Sequence, residues 1–106
     1  MDQKEKERRI SGKWSSLLED YDEHVRRIAI RAFKEPSLRR LFPFASHSNL
    51  RFSRSVVDPY DFDLPFVLTS PAGTYEARDG DNSPLGGGDL DDVVTLVARA
   101  MERRLP

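Results

Sequence analysis

The segment Leu41-Phe42-Pro43-Phe44-Ala45-Ser46-His47-Ser48-Asn49-Leu50-Arg51-Phe52-Ser53-Arg54 sets aromatic, hydroxyl, imidazole and guanidinium side chains side by side. His47 lies between Ser46 and Ser48, with Asp58, Asp61 and Asp63 a short way down the chain. An imidazole gains and loses a proton near neutral pH, so His47 is the candidate catalytic acid or base. A lone Ser-His-Ser specifies no triad, and a histidine in a tight turn equally serves backbone groups. His24 is the only other histidine and cysteine is absent. A His-rich or thiolate metal site, a disulfide, an iron–sulfur cluster and a cysteine nucleophile are therefore excluded. No metal and no cofactor is expected.

Arg51 and Arg54 offer anion binding. Side chains alternate along a strand, which puts Arg51 opposite Leu50 and Phe52. Arg54 falls on their face if the strand stays regular, to pair with Asp61 or Asp63 or to hold an anion. If the strand has already ended, Arg54 sits at its rim. The acids of Asp58-Pro59-Tyr60-Asp61-Phe62-Asp63 could do acid–base work or bind a hard cation. The ordinary reading is a solvated loop whose Tyr60 and Phe62 pack back onto the sheet. Asp79-Gly80-Asp81-Asn82-Ser83 opens like a calcium loop, but Leu90 stands where the bidentate glutamate belongs. Gly86-Gly87-Gly88 lacks the following Gly-Lys-Ser/Thr of a phosphate loop, and Asp89, Asp91 and Asp92 would repel a phosphate. It reads as a flexible linker.

Composition narrows the field further. The chain has 106 residues, room for one modest core, and a hydrophobic fraction of 38% that argues against general disorder. Its 17 Lys+Arg nearly cancel 18 Asp+Glu. No basic excess exists to release counterions from nucleic acid or to hold a membrane surface. No apolar run approaches a membrane span and no signal-peptide core follows the N-terminus, so a cytoplasmic protein is expected.

The elements that must position these groups follow from periodicity. Residues 1–9 are almost wholly charged and read as a frayed N-terminus, with a single α+β domain over 10–106. Trp14, Leu17, Leu18, Tyr21, Val25, Ile28, Ala29, Ala32 and Phe33 recur at helical steps, which predicts one long N-terminal helix. The same stripe is equally suited to a homodimer seam. Ser37 begins a short helical turn through Phe42, stopped by Pro43. Strands are expected around Leu50–Phe52, Pro65–Thr69 and Thr74–Arg78, with a fourth short one at Ser83–Gly86. Ser70-Pro71-Ala72-Gly73 forms a turn. Asp89 caps a closing helix with the stripe Leu90, Val93, Val94, Val97, Ala100, Met101 and Leu105. The expected fold is α+β: a three- to four-stranded antiparallel sheet packed against the long N-terminal helix and the C-terminal helix.

The block Phe42 to Arg54 resembles the Leu-Phe-Pro-aromatic-x-Ser-His-x-x-Leu-x-Phe-Ser-Arg segment of small actinobacterial natural-product biosynthesis proteins, whose domain has no assigned function. Pro65-Phe66-Val67, Gly73-Thr74-Tyr75 and Asp89 to Val94 are similar to that family's strand, hairpin and closing helix. The resemblance spans roughly residues 36 to 105. It implies a role beside a biosynthetic or peptide-modifying system, with Ser46, His47, Phe52, Ser53 and Arg54 as the shared patch. The favoured reading is a non-enzymatic accessory or binding module that offers Phe44, Ser46, His47, Phe52, Ser53 and Arg54 to a small molecule, a peptide or a biosynthetic enzyme. One rival is a small enzyme using His47 as acid/base. Another is an immunity-type protein whose acidic segments bind a basic partner.

Overall fold

A computed structural model describes every residue except His47, Pro71 and Pro106. The first helix, α1 (Gln3–Glu19), starts where the Asp2 carboxylate accepts the Glu5 N–H at 2.8 Å. It buries Trp14 and Leu17, and its charged first turns extend beyond that contact. The stripe then breaks. Asp22 caps a separate helix, α2 (Glu23–Phe33), by accepting the Val25 N–H at 3.0 Å. The single long helix expected from periodicity is thus two helices. An aspartate's local hydrogen bond wins at the turn, and both helices still bury their apolar faces. A single turn, α3 (Pro36–Arg39), follows with Pro36 in its first position.

Five strands come next: β1 (Phe42–Ala45), β2 (Asn49–Ser53), β3 (Phe66–Thr69), β4 (Tyr75–Arg78) and β5 (Pro84–Gly88). They form one antiparallel meander in chain order. The expected three to four strands are corrected to five. Phe42, read as the end of a helical turn, opens β1 instead. Pro43 is tolerated there because β1 is an edge strand, where no ladder donor is missed. The short strand expected at Ser83–Gly86 is β5, and it runs on through Gly87 and Gly88, which read as linker. Strand propensity did not place them there. Pairing with β4 and packing under the last helix, α4 (Leu90–Arg104), did. Gly86 has φ +152°, and a Cβ there would approach Leu96 Cδ1 to 2.7 Å.

The helices cover one face of the sheet. Leu50 and Phe52 of β2, Val67 of β3 and Ala77 of β4 meet Trp14, Leu17, Ile28, Leu38, Val93, Val97 and Met101 in a single core. Asp89 caps α4 as expected, accepting the Asp92 N–H at 2.8 Å. Register places the alternate strand residues on the other face: Phe42 pairs with Ser53, Phe44 with Arg51, and Phe66 with Arg78. No described helix is long and apolar enough to cross a membrane.

Candidate functional site

The end of β2 and the loop between β2 and β3 assemble two neighbouring constellations. Ser53 is fully buried, and its Oγ donates to Asp61 Oδ1 at 2.6 Å. The same oxygen accepts the Ser55 and Asp61 N–H groups at 3.0 and 3.2 Å. Asp61 also accepts the Arg54 N–H at 2.7 Å and the Arg54 guanidinium at 2.7 Å. That guanidinium reaches Asp63 Oδ1 at 3.0 Å. Burial pushes the Asp61 carboxyl up, but the hydrogen bonds from Ser53 and Arg54 outweigh it and hold the group below its ordinary range. The bond to Asp61 in turn raises Arg54 above its usual value. Asp61 is an ionised anchor with several donors already aimed at it, poorly suited to passing a proton near neutral pH.

The anchor continues into the C-terminal helix. Arg104 donates to the Asp63 carbonyl at 3.3 Å and to Asp79 Oδ1 at 2.6 Å. The Arg104 contact holds the Asp79 carboxyl low. Gly80 follows, where a Cβ would stand 2.0 Å from Asp63 O, so a side chain has no room. Three carboxylates named as chemical candidates, Asp61, Asp63 and Asp79, therefore latch the loop to the sheet and to α4. Among the described residues, no group of three or more His, Cys, Asp or Glu side chains is placed to hold a metal ion.

The second constellation is aromatic and lies on the sheet face away from the core. Phe44 meets Tyr60 at 4.5 Å, Phe62 at 5.1 Å and Phe42 at 5.2 Å between ring centroids, each edge-to-face. Tyr60 stacks parallel to Phe42 at 5.9 Å. Phe62 stays 40% exposed and Val57 43%. Arg51 lies 3.9 Å over the Phe66 ring and 5.8 Å from Phe62, and its Nε is buried with no hydrogen-bond partner among the described residues. Lys13 of α1 reaches within 5.4 Å of the Phe44 centroid. This is a half-buried platform of π-faces and edges, open to solvent at Phe62, with a cation at each side.

The sequence-predicted patch divides between these settings. Phe44 is the centre of the platform. Ser46 sits at the β1–β2 turn, its Oγ 3.0 Å from Asn49 Oδ1. His47, the candidate acid/base, lies outside the described residues. Phe52 is a core residue, 1% exposed and 6.3 Å from Trp14. Ser53 and Arg54 belong to the anchor, Arg54 lying just past the end of β2. Tyr60 and Phe62 pack back onto the sheet, but their convergence with Arg51 and Lys13 was not foreseen. The register of β1 against β2 sets Phe44 beside Arg51, and the β2–β3 loop and α1 bring Tyr60, Phe62 and Lys13 to them.

Sequence comparison settles the family. The profile of DUF6193, a family of unknown function, matches residues 8–105. The chain belongs to the DUF6193 family. That match takes in all of the anchor and the platform of this DUF6193 chain. No curated protein and no solved structure matches it.

Proposed function

We propose that this DUF6193 chain is a non-enzymatic binding module, an accessory protein in actinobacterial natural-product biosynthesis. The observation that supports it is the aromatic platform beside Arg51, in which half-buried Phe44 and Tyr60 back the exposed ring of Phe62. Partly exposed aromatic rings in mutual contact offer a planar or apolar ligand stacking area at small entropic cost, and the flanking cation selects for π-rich or anionic groups. The biosynthetic setting rests on the resemblance of the Phe42–Arg54 block. A bound pathway intermediate or peptide is the ligand class that such a surface fits.

Affinity capture from host extract tests this reading, with bound small molecules and peptides identified by mass spectrometry. The wild-type chain should retain a specific pathway compound that a Tyr60→Ala/Phe62→Ala variant releases. An identical profile from both proteins would remove the platform from consideration. Turnover of a pathway compound by the purified chain, abolished in His47→Ala, would replace the binding module with an enzyme.

A further inference from the structure

We propose a second binding site, in the groove between α1 and the α2–α3 corner, for a small amphipathic anion: an apolar chain or ring carrying a carboxylate or phosphate. The groove has a volume of about 470 Å³, within the range of small-molecule sites. One face of α1 supplies Lys6, Ile10 and Trp14, and Phe33, Arg39 and Arg40 stand opposite. It shares no residue with the Phe44–Phe62 platform and stands or falls separately from it.

The groove is apolar below and basic above. Trp14 and Phe33 meet edge-to-face at 5.3 Å, and the indole N–H donates to Leu41 O at 3.0 Å, which fixes the ring. Ile10 is only partly buried against the core, so its apolar surface is left for a ligand. Three cations rim this floor against one acid, Glu7, although the whole chain carries a net charge of -1. Arg39 is held in place, its guanidinium 5.6 Å from the Phe33 centroid and its Nη1 3.4 Å from Phe33 O. Lys6 and Arg40 have no ion-pair partner among the described residues. Both also line a second depression of about 240 Å³, with Leu41, Arg54 and Leu105. They therefore stand where the two depressions adjoin. An anionic head between them would satisfy two uncommitted cations while its apolar part covers Ile10 and Phe33.

Trp14 is the only tryptophan and, though buried, underlies the groove, so its fluorescence senses a change in the groove above it. The probes are decanoate, decyl phosphate and decanol, titrated below their aggregation concentrations. Both anions should give saturable shifts, with decanol at least about tenfold weaker, which corresponds to about 1.4 kcal/mol. A Lys6→Glu/Arg40→Glu variant with unchanged circular dichroism should lose the anion preference and keep its weak response to decanol. A response to only one anion supports the site and names its head group. Equal affinity for decanol and the anions would overturn the proposal, as would full anion affinity in the charge-reversed variant. Amide shift changes centred on Phe44–Phe62, or closure of the groove in a dimer seen by sedimentation, would overturn it too.

Discussion

At the scale of single residues, the anchor and the platform make opposite demands on stability. Asp61 receives the hydroxyl of fully buried Ser53 and two Arg54 donors. Asp61→Ala strands those donors and should lower the unfolding free energy by about 2–4 kcal/mol, read from urea denaturation. Asp61→Asn keeps one acceptor oxygen and should cost less. A loss of equal size in both variants would mean that charge, not hydrogen bonding, holds the loop. The aromatics divide in the same way. Phe52→Ala opens a cavity in the core beside Trp14 and should cost about 3–5 kcal/mol. Phe62→Ala, at a ring 40% exposed, should cost less than about 1.5 kcal/mol by the same assay while removing platform surface. A residue whose loss spares the fold is the kind on which a binding surface is built.

At the scale of elements, glycines mark where backbone meets backbone. Gly12 lies inside α1 with open space around it. Gly12→Ala removes the entropic cost of a helical glycine and should stabilise by about 0.5–1 kcal/mol, raising the melting temperature. Gly80 is the reverse case, because its Cβ would strike the Asp63 backbone. Gly80→Ala must part the β4–β5 turn from the β2–β3 loop and should lower the melting temperature by several degrees, on the order of 4–8 °C per kcal/mol lost. If Gly80→Ala melts like wild type, the two segments do not press together as described. The α1–α2 break belongs to this scale as well. It lets α1 lie along β1 while α2 packs on α3 and α4, which leaves the groove beneath Ile10.

For the whole molecule, the latch links three parts of the chain through carboxylates. Asp61 and Asp79 both have folded-state values held below the ordinary range. A depressed carboxyl contributes stability that is fully present above its unfolded value and is lost as pH falls through the folded one. Unfolding free energy should therefore be nearly flat from about pH 5 to 8 and decline below about pH 4, where unfolded carboxylates begin to protonate. Asp61→Asn should shallow that decline, as followed by acid titration of the circular dichroism signal. An unchanged acid limb would assign the loss to other carboxylates.

What the chain determines by itself is whatever adjacent residues can enforce. The Asp89 cap, the α4 stripe, the positive φ of Gly73 at the β3–β4 turn and the alternation of Leu50 and Phe52 depend on neighbours a few positions away, and they are legible as written. The α+β class follows from that order of periodicities. The edge strand β1, the run of β5 beyond Gly86 and the helix break were not legible, because each is decided by contacts with distant chain. β5 has almost no strand propensity and exists through its ladder to β4 and the cover of α4. The patch read from the Phe-Ser-Arg run spans two faces and an ion pair for the same reason. Neighbours in sequence point to opposite sides of a strand, while Tyr60 and Phe62, distant from Phe44 along the chain, fold back against it. The pairing of Arg54 with Asp61 and Asp63, at most 9 positions away, is legible in the sequence, while the platform and the basic groove are products of packing between distant segments, which no local spacing encodes.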